Sequence, residues 1–312
     1  MRYVVIGPGA LGSLFGALLA KSFSAGDNQL WLLDHNPTRA ENLKREGLLY
    51  EKNNRLEHIA VQTCCSALEI DRADVILVCV KSYDVTACLN RWQCLLQEGT
   101  LVIFLQNGIG HLHMDQHTDA ATPVFATCSE GATLVAKGHI RHCGSGTTSL
   151  GFLDQTTTHF NSLLNEVCNC LNQCGLHSTV SDNILPQVWA KLFINVGINA
   201  LTAIHQVPNG RLLESPDTVR MMTAAIDEAH QVAEASNIAI MEDPLRATLK
   251  VCQATGANIS SMLQDIRKMR RTEIEAINGF IVTEGKRLGI DTPTNLQLVA
   301  KIKAIEMAYQ NK

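Results

Sequence analysis

The sequence has no long hydrophobic run and no block of positive charge. The longest apolar runs, within 74–80 and at 101–105, are far shorter than the roughly 20 residues that span a bilayer. The 26 Lys and Arg against 30 Asp and Glu give a net charge of −4, without the basic footprint of a nucleic-acid-binding domain. These absences argue against a membrane protein and against nucleic acid as a partner.

Cysteine spacing also excludes several classes of protein. The 11 cysteines contain no C-x-x-C pair, and the cluster Cys168, Cys170 and Cys174 lacks the further ligands that a zinc site needs. The chain enters a predicted strand at residue 2, with no signal peptide before it. We therefore expect reduced thiols, no metal, and a soluble cytoplasmic protein, either monomer or homodimer.

What is present is a folded chain long enough for two domains, 46% hydrophobic and 18% charged. Up to residue 181, apolar runs alternate with helical patterns, which predicts an α/β doubly wound sheet. The predicted strands are 2–6, 29–34, 74–80, 100–105, 123–127, 139–143, 147–152 and 177–180, with helices at 10–24 and 37–46.

After residue 181 only helical patterns occur. Apolar spacings of three and four predict a helix over 182–204. Ser215-Pro216 and Asp243-Pro244 combine a capping side chain with a first-turn proline and predict two more helix starts. A periodic stretch from about 257 to Gly289 and a helix after Pro293 follow. We expect a Rossmann-like dinucleotide-binding domain over 1–181 and an all-helical substrate domain over 182–312.

The dinucleotide prediction depends on Gly7-Pro8-Gly9-Ala10-Leu11-Gly12, a G-x-G-x-x-G sequence between the first predicted strand and helix. The first glycine allows the tight turn, the second lets a pyrophosphate approach the backbone, and the third lets helix and strand pack closely. Phosphates then meet the free N–H groups at the helix N-terminus.

The ends of the next strands carry further candidates. Asp34 ends the second strand, where an acid binds the ribose of NAD, whereas Arg39 would suit the 2′-phosphate of NADP. Lys81 and Asn107 end two later strands, at the edge where open α/β sheets bind ligands. Asn107 also fits a simple Asn-Gly turn.

A polar stripe lies within the most apolar helical pattern. Lys191, Asn195 and Asn199 are four residues apart, which places them on one helix face. Buried without partners they would cost free energy, so we expect them to face a ligand. A charged amine can protonate a carbonyl oxygen as hydride arrives at the carbon, and amides can hold that oxygen or a hydroxyl. Gly197 in this helix hints at a close approach.

These segments together resemble the ketopantoate reductase family, over nearly the whole chain. The shared motifs are GPGALG at 7–12, VCVK ending at Lys81, QNG at 106–108, KLFINVGIN at 191–199, LTAI at 201–204, PNG at 208–210, ANISSMLQDI at 257–266 and TEIEAINGF at 272–280.

The resemblance implies NADPH-dependent reduction of 2-dehydropantoate to pantoate, a step towards pantothenate and coenzyme A. It implies Lys191 as general acid and Glu273 as a second catalytic residue that orients Lys191 and touches cofactor or substrate. It also implies that substrate is bound by Lys191, Asn195, Asn199, Asn209, Asn258 and Ser261, and cofactor by residues 7–12, Lys81, Asn107 and Glu273. The family usually has an Arg after the second strand. Asp34-His35 stands there instead, so NADH is also possible.

Three alternatives remain open. One is a reductase of another branched 2-oxo acid. A second is a 3-hydroxyacid dehydrogenase, against which Asn199 and the 257–265 segment argue. The third is a non-catalytic dinucleotide sensor, which would be expected to lack Lys191 and Glu273.

Overall fold

The computed structural model of the chain describes residues 1–24, 26–110, 118, 120–154, 157 and 160–310. They divide into two compact units. One unit comprises the described residues up to Gln106 and those from 118 to Ile184, and the other comprises Asn107–Gly110 and the residues from Leu185 onward. The predicted division lies after residue 181, and the place of 107–110 with the helices was not predicted.

The bounds of the strands and helices are as follows. The strands are β1 (Arg2–Ile6), β2 (Gln29–Leu33), β3 (Leu48–Lys52), β4 (Arg55–Ile59), β5 (Thr63–Cys64), β6 (Val75–Val78), β7 (Leu101–Phe104), β8 (Thr122–Cys128), β9 (Gly131–Ala136), β10 (His139–Gly144), β11 (Thr148–Gly151) and β12 (Ser178–Val180). The helices are α1 (Ala10–Phe23), α2 (Pro37–Glu46), α3 (Val85–Arg91), α4 (Asn161–Gln173), α5 (Leu185–His205), α6 (Pro216–Ala235), α7 (Pro244–Ala254), α8 (Ser261–Arg267), α9 (Asn278–Leu288) and α10 (Pro293–Gln310).

The first unit is built on an eight-stranded sheet with the order β12-β11-β8-β7-β6-β1-β2-β5. Neighbouring strands run parallel except β8 and β11, which are antiparallel. Strands β6 and β7 are buried along their whole length, which explains why they are apolar at every position. The predicted α/β fold with a parallel sheet is confirmed.

A second, four-stranded sheet with the order β4-β3-β10-β9 was largely missed. Only β10 was predicted, because β4 is charged and mostly exposed and β9 is a half-exposed edge strand. The short β5 of the larger sheet was missed as well. Helix α1 contacts strands of both sheets. It is therefore apolar on nearly all sides rather than along one stripe.

The second unit is helical, as expected, but its helix boundaries differ in detail. Asp243 caps α7 by accepting a hydrogen bond from the backbone of Arg246. Helix α6 begins at Pro216, yet the Ser215 side chain makes no capping bond. The periodic stretch 257–289 is not one helix, because α8 ends at Arg267 and Met269 adopts a left-handed φ of 50° before α9 begins.

Helix α5 is the core of this unit and contacts α6, α7, α8 and α10. A Cβ on Gly197 would lie 2.8 Å from Ile226 Cδ1 and 2.9 Å from Thr248 Cγ2. This glycine therefore serves helix packing, and the close approach that the sequence hinted at is made by α6 and α7. In the part of the chain that the structure describes, α5 is the one helix long and apolar enough to cross a membrane, and 67% of its most apolar window is buried inside the protein.

Candidate functional site

The turn from β1 into α1 requires glycine at both of its ends. Gly7 has a φ of 88°, and a Cβ there would lie 2.6 Å from Val80 Cγ1. A Cβ on Gly12 would lie 2.2 Å from the carbonyl oxygen of Gly7. The turn is thus packed tightly against its own start and against the end of β6, as the sequence pattern predicts.

Gly9 has the opposite environment. A Cβ at Gly9 would meet no atom within 4 Å, so the backbone is open on that side. Gly9 is also the N-cap of α1, and it offers no side chain to the first N–H groups of the helix. Because these groups carry the positive end of the helix dipole, the open side of Gly9 fits an anionic group such as a pyrophosphate.

The glycine turn also lies where the strand order of the larger sheet changes direction. Strand β1 lies between β2 and β6, and the order runs outward to either side from there. Ligands of open α/β sheets bind at the carboxyl ends of the strands at such a switch point. Lys81, half-buried, follows β6 and precedes a short 3-10 helix. Gln106 ends the next strand and donates hydrogen bonds to the carbonyls of Val78 (2.7 Å) and Val80 (3.1 Å).

The end of β2 carries an ion pair rather than a bare carboxylate. Asp34 is 1% exposed and accepts a hydrogen bond of 2.9 Å from the backbone of Asn36. The Arg39 guanidinium donates to both carboxylate oxygens, with Nη2 2.6 Å from Oδ1. This hydrogen bond raises the pKa of Arg39 above its ordinary value. The Arg39 side chain stays 40% exposed.

The polar stripe of the helical unit lies on α5. Lys191 and Asn195 are half-buried and Asn199 is buried. The Asn195 Nδ2 atom is buried and has no hydrogen-bond partner among the described residues. A buried amide donor without an acceptor is costly, which makes this atom a candidate for contact with a ligand.

Two loops of the second unit bring the other predicted substrate residues together. The Asn209 backbone N–H donates to the carbonyl of Asn258 at 3.0 Å, and its Nδ2 donates to Thr255 Oγ1 at 2.8 Å. Asn209 is 8% exposed, and its Oδ1 is buried without a donor among the described residues. The Asn258 side chain is exposed.

The adjacent serines divide two roles between them. The Ser260 hydroxyl accepts the backbone N–H of Leu263 at 3.1 Å, which caps α8, and lies 2.7 Å from the Thr202 hydroxyl on α5. Ser261, the first residue of α8, is exposed. Ser260 is therefore the structural residue of the pair, and Ser261 stays accessible to a ligand.

Glu273 is a buried carboxylate, 5% exposed. It accepts a hydrogen bond of 3.2 Å from Asn107 Nδ2, inside the second unit. The loop is held close by Gly108, where a Cβ would lie 2.1 Å from the carbonyl oxygen of Ala276. The same carbonyl accepts the backbone N–H of Ile109 at 3.3 Å. Two residues that were predicted to contact cofactor are therefore in direct contact with each other.

The cysteines form no metal site. All eleven are free thiols, and the described residues contain no cluster of three or more His, Cys, Asp or Glu side chains able to hold an ion. Within the sequence cluster, a hydrogen bond from Cys174 lowers the pKa of Cys170 to about 6.

Two sequence profiles of one protein family match this chain, one in each half. The profile "Ketopantoate reductase PanE/ApbA" matches residues 3–155, and "Ketopantoate reductase PanE/ApbA C terminal" matches 183–306. The chain belongs to the ketopantoate reductase family. It is 34% identical to the 2-dehydropantoate 2-reductase of Halobacterium salinarum over 94% of this chain and 95% of that one. It is also 34% identical to that of Vibrio cholerae over 99% of both.

Solved structures of ketopantoate reductases and of a related dehydrogenase share the fold. A PanE/ApbA family ketopantoate reductase from Ralstonia eutropha has a TM-score of 0.89 at 27% identity, covering 99% of this chain and 100% of that one. D-mandelate dehydrogenase bound to NADH and anilino(oxo)acetate also has a TM-score of 0.89, at 26% identity and 99% coverage of both chains. The family consists of oxidoreductases acting on a CH–OH group, and a nicotinamide dinucleotide is the cofactor class.

Gln106 was not among the predicted site residues of this ketopantoate reductase family member. Its Oε1 is buried without a donor among the described residues, at the carboxyl edge of the sheet. The one signal in the sequence that Gln106 belongs to the site is that it directly precedes Asn107, which was predicted to contact the cofactor. The roles of the predicted residues themselves stay predictions and are taken up below.

Proposed function

We propose that this protein reduces 2-dehydropantoate to pantoate with NADPH. The observation that carries the proposal is the Nδ2 of Asn195, which is buried without a hydrogen-bond partner among the described residues and lies one helical turn after Lys191 on the largely apolar core helix α5. A buried amide donor without an acceptor costs free energy, and a ligand that accepts its hydrogen bond would remove that cost.

The cofactor is proposed to bind along the first unit. Residues Gly7, Pro8, Gly9, Ala10, Leu11 and Gly12 would hold the pyrophosphate, with Lys81, Asn107 and Glu273 as further contacts. The open side of Gly9 and the uncapped start of α1 support this, because a side chain at either place would obstruct an anion. When bound, the reduced nicotinamide supplies hydride to the substrate carbonyl carbon.

The proton is proposed to come from Lys191. As the carbonyl becomes an alcohol, negative charge develops on its oxygen, and an ammonium group beside it both stabilises the charge and donates the proton. A lysine is ordinarily protonated at neutral pH, so it is ready to act as the acid. Glu273, a buried carboxylate held by Asn107, would orient the amine. Asn195 and Asn199 would hold the substrate on the same helix face.

Substrate choice is proposed to depend on Asn209. Its buried Oδ1 lacks a donor, and 2-dehydropantoate carries a hydroxyl group that can donate to it. An analogue without this hydroxyl leaves the acceptor unpaired, and sites built around a hydrogen bond discriminate strongly against such analogues. The exposed Ser261 and Asn258 would bind the carboxylate.

NADPH is proposed as the preferred cofactor because Arg39 neutralises Asp34. A bare carboxylate at the end of β2 would repel a 2′-phosphate, whereas here the carboxylate is paired with the partly exposed Arg39 side chain. The same Asp34 sustains a second candidate, an NADH-dependent reductase of an aryl 2-oxo acid, since the similar D-mandelate dehydrogenase structure contains NADH.

The deciding experiment is a steady-state comparison of NADPH and NADH, each with 2-dehydropantoate, 3-methyl-2-oxobutanoate and phenylglyoxylate. The proposal predicts the highest kcat/KM for NADPH with 2-dehydropantoate. Preference for NADH with phenylglyoxylate would establish the second candidate instead. Oxidation of a 3-hydroxy acid, or dinucleotide binding with no turnover on any acid, would overturn both.

We also propose that the protein works in the cytoplasm. The eleven free thiols support this, because a reducing compartment preserves them.

A further inference from the structure

Glu228 is a buried carboxylate that no cation accompanies. It lies on α6, is 8% exposed, and has no ion-pair partner among the described residues. Its oxygens accept the backbone N–H groups of Thr294 (2.7 Å) and Asn295 (2.9 Å), at the start of α10. A third bond of 2.7 Å comes from Asn295 Nδ2. The charge is stabilised by the N-terminal end of a neighbouring helix.

The buried side-chain amides of Asn295 and Asn278 extend these hydrogen bonds across the second unit. Asn295 Oδ1 accepts a hydrogen bond of 2.9 Å from Asn278 Nδ2. The same Nδ2 lies 3.4 Å from the carbonyl of Val196 on α5. Both asparagines are 0% exposed, and Asn278 Oδ1 has no partner among the described residues. Asn278 therefore leaves its Oδ1 without a donor among the described residues, while its Nδ2 takes part in these hydrogen bonds.

This series of hydrogen bonds, from Glu228 through Asn295 to Asn278, ends next to groups that the proposed mechanism uses. Val196 follows Asn195, the residue with the unpartnered amide. Asn278 begins α9 directly after the short segment that starts at Glu273. The two elements also meet through Trp189 and Phe280, whose rings contact edge to face at 5.8 Å.

We infer that Glu228, acting through Asn295 and Asn278, is a positioning residue that fixes the Glu273 segment against the Asn195 face of α5. The inference rests on the proposed function, since it concerns the geometry of that site. Catalytic groups lose much of their effect when displaced by about 1 Å, so a rigid buried link between their two elements has a direct use.

The chemistry of Glu228 explains why glutamine cannot replace it. Three N–H groups point at the carboxylate, and a carboxylate offers acceptors only. In Glu228→Gln, one oxygen becomes an NH₂ group that faces these donors. Changing Asn295 to Asp at the same time gives the new NH₂ an acceptor and returns a negative charge to the start of α10. It also removes the 3.0 Å hydrogen bond from Asn295 Nδ2 to the carbonyl of Ala225, so recovery is expected to be partial.

The test compares four variants with wild type at 25 °C: E228Q, N278S, the double variant E228Q/N295D, and V232A. Val232 is a buried apolar residue one turn along α6, so V232A controls for loss of stability alone. Unfolding temperature, kcat and KM for 2-dehydropantoate, and hydrogen–deuterium exchange of peptides covering 273–278 are measured for each.

We expect E228Q and N278S to lower kcat by about tenfold or more and to speed exchange over 273–278. V232A should have an unfolding temperature similar to that of these two variants, but kcat and exchange near those of wild type. The double variant should recover kcat relative to E228Q. Normal kcat and exchange in E228Q and N278S, or losses equal to those of V232A, would overturn the inference. If wild type shows no turnover, the proposed function fails, and the exchange data still decide whether Glu228 orders the segment.

Discussion

Asn107 and Glu273 are joined by a hydrogen bond of 3.2 Å across 166 residues of sequence. Asn107 directly follows the Gln106 side chain that bonds the end of β6, yet it belongs to the helical unit. Gly108 allows this arrangement, since any side chain there would collide with Ala276. The residue proposed to touch the cofactor and the carboxylate proposed to orient the catalytic amine are thus fixed to each other.

A carboxylate at position 107 tests this contact. In Asn107→Asp the amide donor becomes an acceptor facing Glu273, and the two groups repel when both are ionised. We expect lower stability than in Asn107→Ser, with a deficit that is larger at pH 8 than at pH 5, where one group can take up a proton. Thermal unfolding across this pH range checks it, and a deficit independent of pH would contradict it.

Loss of the amine tests the mechanism. Lys191→Ala should lower kcat by about a hundredfold or more, the scale of general-acid catalysis, while NADPH binding measured by fluorescence is retained. The control is Lys250→Ala, which removes an exposed lysine from α7. Near-normal turnover of Lys191→Ala would remove this residue from the mechanism.

Asn195 should affect binding more than chemistry. Its Nδ2 is unpaired in the protein, so Asn195→Ala removes no internal hydrogen bond of that atom but deletes a proposed donor to the substrate. We expect KM for 2-dehydropantoate to rise about tenfold, equivalent to roughly 1.4 kcal/mol, with a smaller effect on kcat. An unchanged KM would exclude the assignment, and exposed Asn165→Ala on α4 serves as the control.

The Asp34–Arg39 pair should set cofactor preference. Arg39→Ala removes the proposed 2′-phosphate contact and also exposes the Asp34 charge, so both effects disfavour NADPH. We expect the dissociation constant for NADPH to rise at least about tenfold, with little change for NADH. Equal effects on the two cofactors would contradict this. Arg45→Ala, on the exposed end of the same helix, should leave both unchanged.

Gly197 provides a test of helix packing with a definite sign. In an exposed helix, Gly→Ala would stabilise by about 1 kcal/mol. Here the added methyl group would collide with Ile226 and Thr248, so Gly197→Ala should destabilise by about 1–3 kcal/mol. Urea unfolding measures the difference, and a gain in stability would show that the packing relaxes freely.

Patterns with strong local signals were predictable. Buried apolar strands such as Val75–Val78, the glycine turn at 7–12 and the Pro-initiated helices occur where the sequence places them. The smaller sheet was not predictable from its charged strand β4. Strand β4 is held in the sheet by pairing with β3 and not by an apolar pattern of its own.

The sequence alone determined the α/β and helical halves, the glycine turn at the start of α1, and the helix face shared by Lys191 and Asn195, because each of these follows from local spacing. The tertiary structure decided that Asp34 is neutralised by Arg39, that Ser260 caps while Ser261 stays accessible, and that Glu273 meets Asn107. Burial and pairing of polar groups depend on which distant segments fold against them, and no spacing along the chain encodes that.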